Sequence, residues 1–467
     1  MTQSLKRADV AWGYAAQLVN IGSGVLLLPV VMLTLPSEQI GLWFVFLTLV
    51  AMAQLFELAL QPTLSRTAAY VFAGAHSLSN VGLGPARAGS SVNEGLLAAL
   101  IDGGRTGYRA IAALVAVCLV IGGSAYLSTL TPKGDAAGEN IIFAWVVYAT
   151  GITINVYFGY YSAFILGRGD VGQNSKVMVL TRGSFVLLAA LGLIFNQQLM
   201  ALGIASVMSS VAGRWLAHHY FQPLARQSNA LAGAQPSATE VMQTLWPNAW
   251  RLFVVQLGGF LIIRANTLVV SSYLGLKAAG SYGLTLQLLL LISGVASLLA
   301  ILQLPRMNAA QARGDRTQLR QAVGLSVVSS WIIFAVGAVL LVVIGHELMA
   351  PLGRQVTLLD TPVLMAMLLI AFLEMNHSVA AHFLTTLNRV PFAGASIVSG
   401  LAIVGLGIAL CAWTALGLWG IVIAQGLVQL AYNNWKWPLD ALKELDTTVS
   451  ELLRIGSSEL RRLVVPR

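Results

Sequence analysis

Twelve stretches of this sequence are apolar for long enough to cross a lipid bilayer, and that repetition leaves few folds open. They are 9–35, 40–62, 107–130, 141–166, 177–195, 199–221, 247–273, 278–304, 323–345, 361–387, 392–413 and 417–437. A bilayer core takes about 20 residues of helix but only about ten of a tilted strand. Lipid offers no partner to a free backbone N–H or C=O, so runs of this length are helices. With 57% hydrophobic and only 10% charged residues, the chain is too apolar for a water-soluble globule. A net charge of +9 in such a chain records membrane topology rather than nucleic-acid binding. Cys118 and Cys411 both fall inside apolar runs and read as small buried hydrophobes. The first run is long enough to span and shows no cleavage site, so no cleaved signal is expected.

Twelve spans put both termini on one side, and charge chooses the side. Of the 27 Lys and Arg residues, only Lys133, Lys277 and Arg354 fall on the segments that face out when the N-terminus is inside. Nearly all the others lie on the opposite segments and helix ends, Arg182 and Arg214 among them. The positive-inside rule therefore places both termini in the cytoplasm of a cell with the protein in its inner membrane. Trp435 and Trp437, flanking Lys436, read as an inner-leaflet anchor.

The two halves share a sparse pattern. Gln17 and Gln256, Gly41 and Gly280, and Trp43 and Tyr282 are each separated by 239 positions. That period implies an internal duplication with the seventh helix repeating the first. The expected fold is an all-α polytopic membrane protein, twelve transmembrane helices in two pseudo-symmetric six-helix lobes around a central cavity. The expected boundaries are an N-terminal lobe 1–221, a cytoplasmic linker 222–246, a C-terminal lobe 247–437 and a tail 438–467. Residues 74–106 read as a Gly/Ser-rich cytoplasmic loop. In the tail Leu442, Leu445, Val449, Leu452 and Leu453 form one helical stripe, which fits either a membrane-surface helix or a cap on the bundle.

Polar residues inside the spans mark candidate sites. Arg264 is the only charge between Arg251 and Lys277, and at about 1.5 Å per residue each lies roughly 20 Å away along a helix. A guanidinium so deep does not reach a headgroup layer and is costly in lipid, so it faces a polar cavity that suits an anion. Gln54, Glu57, Gln61 and Ser65 share one helix face, as do Gln17, Asn20 and Gly24, and as do Asn155, Gly159 and Ser162. Each face reads as cavity lining or as an interhelical hydrogen-bond seam. Tyr157, Tyr160, Tyr161 and Phe164 beside Asn155 read as core contacts before a sugar platform. Glu374 with His377 one turn on is either a proton-carrying pair or a structural one, with Arg264 a possible partner. Arg251, near a helix end, fits phosphate snorkelling as well as a cargo role; Arg182 is similar.

Soluble-enzyme motifs give little. Gly167 to Gly172 spells G-x-G-x-x-G, but it follows a membrane helix rather than a strand and reads as a helix cap and turn. No Walker A sequence, HExxH or nucleophile elbow is present. His377 and His382 are five apart, the wrong spacing for two ligands on one helix face. No cofactor and no metal are expected.

Four stretches, GLWFVFLTLVAMAQLFELALQPTLSR (41–66), NVYFGYYSAFILGRGDVGQNSK (155–176), GSYGLTLQLLLLISGVASLLAILQLPRM (280–307) and YNNWKWP (432–438), resemble the polysaccharide flippases of the multidrug/oligosaccharidyl-lipid/polysaccharide exporter superfamily. The resemblance covers nearly the whole chain through order and spacing rather than one diagnostic motif. It implies alternating access moving undecaprenyl-diphosphate-linked oligosaccharides from the inner to the outer leaflet, for O-antigen, capsule or exopolysaccharide. The implied partners are that lipid-linked substrate, the bilayer and, as candidates, a polysaccharide polymerase and a chain-length regulator. Helices 1, 2, 7 and 8 would front the cavity. Family members often carry an acidic residue and glycine where this chain has Glu57-Leu58-Ala59, and an acidic residue near Asn266.

On this reading Arg264, Arg251, Gln17, Asn20, Gln54, Gln61, Asn155 and Asn266 are substrate-binding candidates. Glu57, Glu374 and His377 are candidates for ion coupling. The alternative is a multidrug exporter of the same superfamily, which would need carboxylates free of neighbouring arginines to take cationic drugs. An enzyme, such as a polymerase or glycosyltransferase, fits least, because the longest outer loop, 346–360, is short and carries only His346, Glu347, Arg354 and Asp360 as titratable groups.

Overall fold

The computed structural model describes residues 7–75, 77, 92–131, 136–227, 236–349, 351, 356–387 and 391–464. It is built almost wholly of helices. α1 (Arg7–Thr34) and α2 (Ser37–Phe72) come first. α3 (Glu94–Ala116) runs through a π-helical stretch, Val117–Gly123, into α4 (Ser124–Leu130). α5 (Ala136–Tyr157) and α6 (Tyr160–Gly167) form one rod broken at Phe158–Gly159, followed by α7 (Val171–Ile194) and α8 (Gln198–Gln227). α9 (Ala238–Ile263) and α10 (Asn266–Tyr273) form a second broken rod, and α11 (Leu276–Arg313), α12 (Arg316–Met349), α13 (Thr361–Thr385) and α14 (Ala393–Trp413) follow. α15 (Leu418–Ala431), α16 (Asn433–Leu445) and α17 (Val449–Val464) close the chain.

Among the described residues, eleven helices, broken rods counted once, are long and apolar enough to cross a membrane. The twelfth expected span is divided at Tyr432, whose φ of −146° and ψ of −63° interrupt the ladder between α15 and α16. The offset of 239 carries Thr34 and Ser37 onto Tyr273 and Leu276, where α10 ends and α11 begins. Between these two helices Gly275 adopts φ 87°, a left-handed turn that a side chain would strain.

The chain divides into two compact units, Met1–Gln39 with Val45–Leu257, and Ile40–Phe44 with Gly258–Arg467. This division passes through α2, which gives Ile40–Phe44 to the second unit, and through α9 after Leu257. The first half of α9 belongs with α2 and α3: Phe253 stacks on Phe56 at 4.6 Å, and a Cβ on Gly103 would fall 2.5 Å from Val241. Much of the expected linker is helical. α8 runs on to Gln227, and α9 starts at a reciprocal capping box in which the Ser237 amide donates to Glu240 at 3.1 Å and the Glu240 amide donates to Ser237 Oγ at 3.3 Å.

Two other expectations are corrected. The Gly-rich stretch 94–106 is the start of α3, capped by Asn93, whose side chain accepts from the Leu96 amide at 3.0 Å. Its glycines are there for close approach: side chains on Gly103, Gly104 or Gly107 would collide with Val241, Leu64 or Met242. Residues 78–91 of that loop lie outside the described residues. Trp437 is not a lipid anchor. It is 3% exposed, donates to Asn433 Oδ1 at 3.0 Å and joins a core with Met307, Phe383, Leu445 and Leu452. Trp435 is exposed and Lys436 pairs with Asp440 at 2.9 Å. The tail caps the bundle: a Cβ on Gly324 of α12 would fall 2.8 Å from the Leu452 carbonyl, so α17 lies backbone to backbone against α12. The 167–172 motif is the turn between α6 and α7, with Gly169 at φ 92° and Arg168 paired to Asp170 at 3.0 Å.

Candidate functional site

The polar face of α2 opens onto a cavity of about 310 Å³ within the first unit. Gln54, Glu57 and Gln61 line it from α2, Asn155 and Ser162 from the broken α5–α6 rod, Asn174, Thr181 and Arg182 from α7, and Ser209 and Arg214 from α8. Two of its lining residues, Leu58 and Arg182, are exposed.

Arg214 organises this cavity. It sits near the middle of α8, roughly 20 Å from either end at about 1.5 Å per residue, and is only 9% exposed. Its Nη1 donates to Ser162 Oγ at 3.0 Å and to the Phe158 carbonyl at 3.5 Å, while Nη2 donates to Asn155 Oδ1 and approaches Glu57 at 3.5 Å. The ladder tightens there: the Gly159 amide turns back to Val156, the Tyr161 amide to Phe158 and the Ser162 amide to Gly159, so the Phe158 carbonyl accepts from both Tyr161 and the arginine. The arginine thus adds a second donor at the break, and a side chain inserted into the ladder is a recognised cause of helix kinks. Asn155, Gly159 and Ser162, read as one polar face, are the face that holds it.

Arg214 itself was read as a charge at a helix end. The apolar run stops at Phe221, whereas α8 continues to Gln227 and places the guanidinium deep. The signal was present: Arg214 lies inside an apolar run, as Arg264 does. Arg182 is likewise near the midpoint of α7, about 17 Å from either end, rather than near its start. Tyr160, Tyr161 and Phe164 are buried around Phe221, so these rings are core contacts.

A hydrogen-bonded chain of side chains runs through the second unit. Asn266, fully buried, donates to Gln425 Oε1 at 3.1 Å, and Gln425 and Gln429 donate to Glu374 Oε1 at 2.7 and 3.3 Å. Asn433 then donates to Gln429 at 2.7 Å and to Ser399 at 2.9 Å. Glu374 and Gln425 also line a cavity of about 260 Å³ with Tyr282, Ser293, Ser297 and Ser378. His377 does not pair with Glu374; its Nδ1 lies 3.0 Å from Asn434 Oδ1. The carboxylate and the imidazole have separate amide partners.

Arg264 occupies the break between α9 and α10, where its own amide and that of Ala265 both turn to the Phe260 carbonyl, at 2.8 and 3.1 Å. It is partly exposed, and among the described residues no carboxylate pairs with it or with Arg182. Glu374, the partner considered for Arg264, is bound by amides. Arg251 and Gln17 are exposed on their helices. The side chain of Asn20 lies outside the described residues. The structure thus gathers Gln54, Glu57, Gln61 and Asn155 in one cavity and Asn266 and Glu374 in one network.

No family model matches the sequence, and no curated protein matches it. The fold is nevertheless known. An inward-facing multidrug resistance MATE family transporter of the MOP superfamily aligns with a TM-score of 0.64 at 12% identity, over 95% of this chain and 100% of the other. An outward-facing one aligns at 0.59 and 13%, over 97% and 98%. A MOP superfamily transporter from Pyrococcus furiosus, described as having a binding pocket of reverse polarity, aligns at 0.56 and 14%, over 94% and 95%. These neighbours are transporters rather than enzymes. The chain is a multi-pass, all-helical membrane protein with the MATE transporter fold.

Proposed function

We propose that the protein is an exporter of the cytoplasmic membrane that works by alternating access, and that its cargo is anionic. The fold supports the first part, since it is represented by both inward-facing and outward-facing transporters along essentially its whole length. The observation that carries the second part is the depth of Arg182 and Arg264, both within membrane helices and both without a carboxylate partner among the described residues. In each unit a cationic drug would meet a fixed like charge, in a medium that screens such charges poorly. An anion would neutralise them.

The cargo's identity has two readings. The resemblance of 41–66, 155–176, 280–307 and 432–438 to polysaccharide flippases supports an undecaprenyl-diphosphate-linked oligosaccharide, with the arginines on the diphosphate or acidic sugars and the amide side chains on hydroxyls. The fold neighbours, multidrug resistance transporters, give more direct support to small organic molecules. Pocket charge is not fixed by this fold, as the reverse polarity described for the Pyrococcus furiosus protein illustrates. Glu374 and Glu57 are the candidates for ion coupling.

The test is complementation of a deletion strain. Arg264→Ala abolishes surface polysaccharide at normal protein level, and Arg264→Lys, which keeps the charge but not the fork, retains part of it. Full glycan display by Arg264→Ala would remove that residue from the mechanism.

A further inference from the structure

We infer that the first unit contains an anion-binding site of its own, formed by Arg182 and Arg214, in which Glu57 is a built-in competitor for the incoming group. The ligand class is a phosphate or carboxylate oxyanion.

Three observations converge on it. The cavity carries two guanidinium groups and one carboxylate, so an unliganded site holds a net positive charge inside a membrane unit. Arg214 Nε is buried and has no hydrogen-bond partner, although the other nitrogens of the same guanidinium are engaged. A buried unpaired donor costs about 1–3 kcal/mol, more when charged, so this guanidinium is held with one donor unmet. Finally, the Glu57 contact is long, 3.5 Å, whereas Ser162 is held at 3.0 Å. A charge-assisted pair in good geometry closes to about 2.7–2.9 Å. Arg214 is therefore held in place mainly by neutral oxygens, and the carboxylate can leave without releasing it.

The space is adequate: the cavity's 310 Å³ is roughly ten times the volume of one liquid water. Amide donors from Gln54, Gln61 and Asn174 line it. Bidentate binding by an arginine favours planar or tetrahedral oxyanions over halides. The group can arrive as part of a cargo, as a lipid headgroup or as a free ion, and the same two arginines would receive it.

The test uses the purified full chain in nanodiscs of zwitterionic lipid, with inorganic pyrophosphate as the probe and calorimetric titration as the readout. Wild-type protein binds pyrophosphate, and Glu57→Gln, which removes the competitor at constant shape, binds it at least tenfold more tightly. Arg182→Gln, at an exposed side chain, weakens binding at least tenfold with an unchanged unfolding midpoint. Arg214→Gln alone leaves Glu57 without its partner, so the double variant Glu57→Gln/Arg214→Gln is compared, and it shows no binding while remaining folded. Repeating the series with Arg264→Ala separates this site from the cargo role proposed for Arg264, because tightening by Glu57→Gln persists there. Anionic-lipid nanodiscs that block pyrophosphate binding in wild type, but not in Arg182→Gln carrying Glu57→Gln, identify a headgroup as the occupant. Equal affinities in wild type, Glu57→Gln and Arg182→Gln would overturn the inference.

Discussion

Arg214 is held by a hydroxyl, an amide, a backbone carbonyl and a carboxylate, contributed by two other helical rods. Its loss should therefore be felt as a loss of stability. Removing one partner of a buried ion pair typically costs about 3–5 kcal/mol, because the other charge is left uncompensated. Arg214→Ala is expected to lower the thermal midpoint in detergent, and adding Glu57→Gln to recover a large part of that loss. No recovery in the double variant would mean that Arg214 acts through Asn155, Ser162 and the Phe158 carbonyl alone. Glu57 could be placed on a polar face from its spacing to Gln54 and Gln61, because helix periodicity is local. Its arginine partner is 157 positions away and lies on another helix, a relation that no periodicity encodes. Glu374 shows the same limit: its spacing to His377 implied a pair, while its actual partners are Gln425 and Gln429.

At the scale of elements, the spans were legible and their ends were not. Apolar composition marks where lipid is, but α3 begins at Glu94, α8 ends at Gln227 and α9 begins at Ala238, all beyond the apolar runs. Those extensions are stabilised by caps and by contact with other helices rather than by lipid. Ser237→Ala removes half of the capping box and should cost about 1 kcal/mol, read as faster hydrogen exchange in the first turn of α9. The tail gives a stronger case. Gly456 faces Gly324 directly, so Gly456→Val leaves no room between α17 and α12. Overpacking of this kind costs about 1–3 kcal/mol, and limited proteolysis should then cleave between α16 and α17 while the bundle survives. An uncut tail would contradict this account of how α17 is held.

For the whole molecule, the central claim is that a fold shared with multidrug resistance transporters has here been given cations in its membrane helices, and hence an anionic cargo. Glu374, whose hydrogen bonds come from Gln425 and Gln429 rather than from an arginine, is the candidate for coupling transport to an ion. Glu374→Gln should therefore cut transport at least tenfold without lowering the unfolding midpoint. The measurement that tests the central claim most directly compares two phenotypes of one deletion strain: lipid-linked saccharide intermediates extracted from its membranes, and its susceptibility to cationic drugs. The account predicts that diphosphate-linked or other anionic intermediates accumulate in the deletion strain, while drug susceptibility does not change. Unchanged intermediates together with a new sensitivity to cationic drugs would contradict it.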